Sequence, residues 1–133
     1  MKYLLDTHTF IWTIMESSKL SEKVRDIIEN PENEIFVSGI TFWEIAIKTQ
    51  IGKIKFENFN ILHLPNIANQ YGFSIFTPSA YDYVTYKELP LVENHKDPFD
   101  RMLIHSAIKN NLILLSKDTY FSSYEDFGLQ LLW

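Results

Sequence analysis

The sequence predicts an α/β fold in which a mainly parallel sheet of about five strands is covered by helices on both faces. Two observations lead there. Short apolar runs alternate along the chain with segments of helical period, the pattern of successive strand–helix units. The runs are also continuously apolar, as strands buried on both faces require, whereas a one-sided sheet alternates apolar and polar positions.

Each element has its own signal. Lys2 to Leu5 is a strand ending at Asp6, and Thr7-His8 leads into a helix reaching about Met15. Ser21 caps a second helix with Val24, Ile27 and Ile28 as its apolar stripe, and Asn30-Pro31 stops it. Glu34 to Ser38 is a strand; a helix follows from near Thr41 to about Ile51, with Gly52 as its stop. Lys53 to Phe56 is basic and irregular. A helix from Pro65 to Tyr71 is closed by Gly72, Phe73 to Phe76 is a strand, and Ser79 opens a helix ending before Pro90. Asp97 and Pro98 fit the N-cap and first position of the best-marked helix, which runs to about Asn110. Leu112 to Leu115 and Leu129 to Leu132 complete the strands. At 133 residues, with neither repeat nor linker, one domain spanning 1–133 is expected.

Composition narrows the function classes. Hydrophobic residues make up 46% of the chain, which favours a folded protein over a disordered one. No apolar run is long enough to span a membrane, and none at the N-terminus is long enough for a signal peptide, so no membrane partner is expected. The absence of cysteine excludes disulfides and thiolate metal sites and agrees with a cytoplasmic location. The formal net charge of −5 argues at first against nucleic acid. Setting aside the five acids Asp6, Glu44, Asp97, Asp100 and Asp118, however, brings the balance from −5 to 0. The acidity thus belongs to one candidate site rather than to the whole surface.

Those acids hold comparable places. Asp6 ends the first strand, Asp118 lies just past the fourth, and Glu44 and Asp100 each fall in the first turn of an expected helix. In an open α/β sheet the loops beyond the strand carboxyl ends form the ligand crevice. Four carboxylates gathered there repel one another unless a cation compensates, and an oxygen-only donor set favours Mg²⁺ or Mn²⁺ over zinc. Such a site supports phosphoryl-ester hydrolysis. Each acid also has a structural explanation. Asp6 and Asp97 suit helix caps, and Asp100 can complete a capping box with Asp97. Glu44 completes a capping box with Thr41 or pairs with Lys48 at i+4, and Asp118 can begin a turn.

Four stretches carry a family resemblance. They are Leu4-Leu5-Asp6-Thr7-His8, then Trp43-Glu44 with Lys48 and Gly52-Lys53, then His95-x-Asp97-Pro98-Phe99-Asp100-Arg101, and Leu114-Leu115-Ser116-x-Asp118-x-x-Phe121. In this order they resemble the PIN-domain ribonucleases, specifically the VapC-like toxin branch. The resemblance spans nearly the whole chain, and its third motif is the most specific. It implies a three-layer PIN-like fold with strand order 3-2-1-4-5, so that Asp6 and Asp118 face each other at the switch point. It also implies that Asp6, Glu44 and Asp100 hold Mg²⁺ or Mn²⁺, with Asp118 as a fourth acid and Ser116 as a nearby hydroxyl. Asp97 then serves as a cap beside the ligands. The implied reaction is endonucleolytic cleavage of single-stranded RNA to 5′-phosphate and 3′-hydroxyl ends. The implied partners are a cognate antitoxin and a second copy in a homodimer.

Arg101, His105 and Lys109 follow i, i+4, i+8 and so share one helix face, read as solvated with phosphate contact as the alternative. Lys48, Lys53, Lys55 and Lys117 are further candidates for the RNA backbone. His8 and His95 flank the site and are expected to hydrogen-bond locally. Trp12, Phe42 and Trp43 are expected in the core; joint exposure would instead suggest an antitoxin groove. Two function classes remain: a metal-dependent ribonuclease, and a PIN-like module that binds RNA or protein without cutting. A small-ester phosphatase is weaker, for want of a Gly-rich phosphate loop.

Overall fold

The computed structural model describes residues 1–92 and 94–133. Its strands are β1 (Lys2–Leu5), β2 (Glu34–Ser38), β3 (Ser74–Phe76), β4 (Ile113–Leu115) and β5 (Gln130–Leu132). Its helices are α1 (Thr7–Met15), α2 (Glu22–Glu29), α3 (Gly39–Gln50), α4 (Leu64–Gln70), α5 (Ala80–Thr85) and α6 (Pro98–Lys109). The sheet has the expected order, β3-β2-β1-β4-β5, and every pairing is parallel rather than only most of them.

Side-chain alternation along β1 builds two cores. Tyr3 and Leu5 point into a cluster with Phe10, Val24, Ile45, Leu64 and Ala68, which belongs to α1 through α4. Leu4 points the other way, into Leu103, Ile104, Ala107, Phe121 and Tyr124. With both faces covered, the strand carboxyl ends are the open side. β1 and β4 run side by side in register, Leu5 opposite Leu115, and from them the chain winds outward in opposite directions. A crevice therefore opens beyond Leu5 and Leu115.

Three differences from expectation bear on the site. α3 starts at Gly39, two residues early, because Ser38 both ends β2 and caps the helix, its Oγ accepting from Ile40 N at 3.1 Å. Glu44 consequently lies in the second turn, and no capping box joins it to Thr41. The helix expected from Ser79 to Pro90 divides into α5 and a 3₁₀ turn, Tyr86–Glu88, although Ser79 and Asp82 do form a reciprocal capping box. A long 3₁₀ segment, Thr119–Phe127, was not anticipated. It buries Phe121 and Tyr124 and ends at Gly128, whose φ of 101° lies in the left-handed region that glycine tolerates.

Candidate active site

The crevice is built from four elements. Asp6 caps α1, its Oδ1 accepting from Thr9 N at 2.8 Å, while Oδ2 accepts from Ser116 Oγ at 2.5 Å. The same Ser116 oxygen accepts from Asp118 N at 3.1 Å, so one hydroxyl joins the ends of β1 and β4. Asp118 Oδ1 in turn accepts from Tyr120 N at 2.9 Å, capping the 3₁₀ segment. Glu44, buried on α3, accepts from Thr7 Oγ1 at 2.6 Å and is paired with Lys48. Thr7 is the residue after Asp6, so this bond ties the second carboxylate to the first. Asp97 caps α6, accepting from Phe99 N at 2.8 Å and Asp100 N at 3.2 Å. Asp100, one turn in, has its Oδ2 3.5 Å from His95 Nε2 rather than folded back onto the cap.

Electrostatics register the crowding. Burial, and then the charges of Asp97, Glu44, Asp118 and Asp6, push the Asp100 carboxyl up to about 8. Burial also raises Asp6, against the opposing hydrogen bonds from Ser116 and Thr9. Burial works against the Lys48 ammonium, but Glu44, Asp97 and Asp100 together hold it above its ordinary value. The other four of the five acids therefore act on the Asp100 carboxyl. Near neutral pH that group keeps a proton, first because it is buried and then because its neighbours are already negative.

A family model for the PIN domain matches residues 3–126. The chain belongs to the PIN-domain family. A search of curated proteins finds no match. Among solved structures the chain is similar to VapBC2 from Rickettsia felis bound to a DNA fragment from its promoter, at 20% identity and a TM-score of 0.68. That alignment covers 99% of this chain and 98% of the other. It is also similar to DNA-bound VapBC from Salmonella typhimurium, at 15% identity and 0.67, covering 99% and 97%. A third is VapBC-1 from nontypeable Haemophilus influenzae, at 20% identity and 0.65, with the same coverage as the second.

In this PIN domain the donors suit a hard cation by type, since the acids offer only oxygen, and Asp100 is held protonated by burial and by the negative charges around it. They do not form a finished cage. Among the described residues no three acidic or histidine side chains stand close enough to hold an ion as they are. Lys48 occupies a Glu44 oxygen, and Ser116 occupies one of Asp6. Mg²⁺ tolerates such a site, because it commonly keeps several waters and takes only one or two carboxylates directly.

Several flanking residues sit differently from the sequence expectation. Arg101 is neither solvated nor free for a phosphate: it is 4% exposed, with its donors on Tyr86, Leu89, Pro90 and Tyr124. His105 is buried too, 3.0 Å from Thr85 Oγ1, and only Lys109 on that face is exposed, paired with Glu88 at 3.0 Å. The chain from α5 to Pro90 packs over the face and covers it. Lys48 is committed to Glu44 and is no independent backbone contact. Lys117 is exposed and lines a cavity of about 470 Å³ with Asp6, His8, Trp12, Asp118 and Tyr120. Trp43 is 59% exposed rather than core, edge-on to Phe99 at 5.3 Å. Thr7 and Tyr124 were not singled out from sequence. Only the position of Thr7 beside Asp6 pointed to it.

Proposed function

We propose that this PIN domain is a Mg²⁺- or Mn²⁺-dependent endoribonuclease toxin that cleaves single-stranded RNA and is restrained by a cognate antitoxin. What supports the proposal is the hydrogen-bond chain that links Glu44 to Thr7 beside Asp6, and Asp6 through Ser116 to Asp118, together with the charges of Glu44, Asp118 and Asp6 that act on the Asp100 carboxyl. Asp6 and Asp100 would hold the cation, with Asp118 and Glu44 reached directly or through water. When bound, the cation would supply an activated water and neutralise charge developing on the phosphate. The chain's own residues prepare for this. Ser116 and Thr9 fix Asp6, Asp97 anchors the start of α6, and Thr7 and Lys48 keep the buried Glu44 oriented. Lys117, which lines the same cavity as Asp118, would meet a backbone phosphate there.

Exposed Trp43, with Tyr83, Pro98 and Phe99 around an apolar hollow of about 240 Å³, offers surface to a protein partner. The neighbours named VapBC favour an antitoxin in that role. A homodimer, a cytoplasmic location and action of residues 1–133 as one domain belong to the same proposal. Among the described residues no helix is long and apolar enough to cross a membrane.

A non-cutting module is the competing proposal, favoured by the capping bonds that Asp6, Asp97 and Asp118 do make. A labelled single-stranded oligoribonucleotide separates the two. With Mn²⁺ the protein should yield 5′-phosphorylated fragments; EDTA, Asp6→Asn or Asp100→Asn should stop it while circular dichroism stays unchanged. Binding without cleavage under all metal conditions would favour the module.

A further inference from the structure

Three polar side chains buried beside Asp100 have no part in the reaction above, and their hydrogen bonds run in one direction. Arg101 can only donate. Its Nη1 reaches Tyr124 Oη at 2.9 Å and Pro90 O at 3.0 Å, Nη2 reaches Leu89 O at 3.2 Å, and Nε reaches Tyr86 Oη at 3.0 Å. The Tyr124 oxygen therefore accepts from Arg101 and has one proton of its own to place. Its other polar neighbour is His95 Nδ1, at 2.7 Å. An imidazole whose Nδ1 accepts a hydrogen bond carries its proton on Nε2. That nitrogen lies 3.5 Å from Asp100 Oδ2. The donors thus line up from Arg101 to Tyr124 to His95 and end on Asp100 Oδ2.

The surroundings make this order hard to reverse. Tyr124 is fully buried and His95 is 6% exposed, so bulk water does not compete for their donors. The imidazole lies parallel to the Tyr120 ring (4°, centroids 5.9 Å apart) and is also packed on Phe121 at 5.8 Å, which fixes its plane. Turning the ring over would aim a carbon at Asp100, and the other tautomer would aim a lone pair.

We infer that Arg101, Tyr124 and His95 form a positioning device for Asp100, setting the imidazole in its Nε2–H form so that one carboxylate oxygen faces a donor and the other is left for the crevice. The role rests on Asp100 being a cation ligand, as proposed above. At 3.5 Å the last contact orients the carboxylate more than it binds it. Mutating residues that hold a ligating carboxylate in this way typically costs roughly 10–100-fold in metal affinity. The device also gives His95 and Arg101, which open and close the His-x-Asp-Pro-Phe-Asp-Arg stretch, a shared purpose.

Tyr124→Phe tests it, since the ring and its packing remain while the hydroxyl is lost. Two-bond ¹H–¹⁵N spectra of the metal-free protein above about pH 8, where Asp100 is ionised and can only accept, read the tautomer directly. The wild type should show His95 protonated on Nε2 alone, and the variant should show a mixture. Mn²⁺ affinity, followed by electron paramagnetic resonance, should weaken roughly tenfold in the variant. His95→Gln, whose amide places a donor near the Nε2 position, should retain more affinity than His95→Leu, and serves if Tyr124→Phe does not fold. An Nδ1–H tautomer in the wild type overturns the inference, as does unchanged Mn²⁺ affinity once the tautomer has shifted, or equal loss in both His95 variants. A wild type that binds no Mn²⁺ would instead overturn the metal proposal, and the tautomer spectrum would still decide the direction of the chain.

Discussion

Replacing Asp100 by Asn should stabilise the metal-free protein, and should do so more as the pH rises. The Asp100 carboxyl is pushed from 3.8 up to about 8, first by burial and then by Asp97, Glu44, Asp118 and Asp6. Between those two values the folded chain holds a proton that the unfolded chain has released. Folding stability therefore falls as pH climbs through this window, with the full cost present above about pH 8. A shift of roughly four units at 1.36 kcal/mol each gives a ceiling of about 6 kcal/mol. The carboxylate is still 25% exposed, and water and side-chain relaxation reduce the ceiling, so a gain of about 2–3 kcal/mol is expected. Asn keeps the shape and removes the charge. Urea denaturation in EDTA at pH 4.5, 7 and 8.5 would measure it. An Asn variant no more stable than wild type at pH 8.5, or a gain independent of pH, would show that the acids do not crowd Asp100. A stabilising substitution at the residue proposed to hold the cation would be a direct instance of function held at a cost to stability.

Three further outcomes follow from the same geometry. Ser116→Ala removes the donor to Asp6 and the acceptor for Asp118 N, and should lower stability by about 1–2 kcal/mol in urea, with no change in m. Lys48→Met leaves Glu44 buried without its partner; the metal-free protein should lose about 2–3 kcal/mol, and Mn²⁺ should raise its melting temperature by more than it raises the wild type's. An equal response to Mn²⁺ in both proteins would mean that Lys48 does not compete for the site. Gly128→Ala should cost roughly 1–2 kcal/mol through its backbone angle and not through a clash, because the added methyl would meet Ile108 only at an ordinary 3.7 Å; matched thermal melts would check it.

The strands, their order and the acids at their ends were legible because unbroken apolar runs and terminal Asp residues are local signals, and the motifs supplied the topology. Sequence pattern puts Glu44 in the first turn and the structure in the second, because Ser38 both ends β2 and caps α3, so no loop residue marks the boundary. The Thr119–Phe127 segment escaped notice because a 3₁₀ helix has no long apolar period; the only hints were Asp118 before it, Gly128 after it, and Phe121 and Tyr124 three apart. Helical spacing correctly put Arg101 and His105 on one face. It could not say that the stretch from α5 to Pro90, distant in sequence, would lie across that face and turn an apparent charged surface into a buried network. Periodicity reports which residues share a side, not what covers it.

Whether these scattered carboxylates serve one ion is tested most directly by anomalous diffraction from a crystal soaked in Mn²⁺. The expected result is a manganese peak in the crevice between β1 and β4, with oxygens of Asp6 and Asp100 at roughly 2.1 Å and the remaining acids reached directly or through water. Strong manganese peaks elsewhere on the molecule, with that crevice holding only water and Asp100 still turned toward His95, would contradict it.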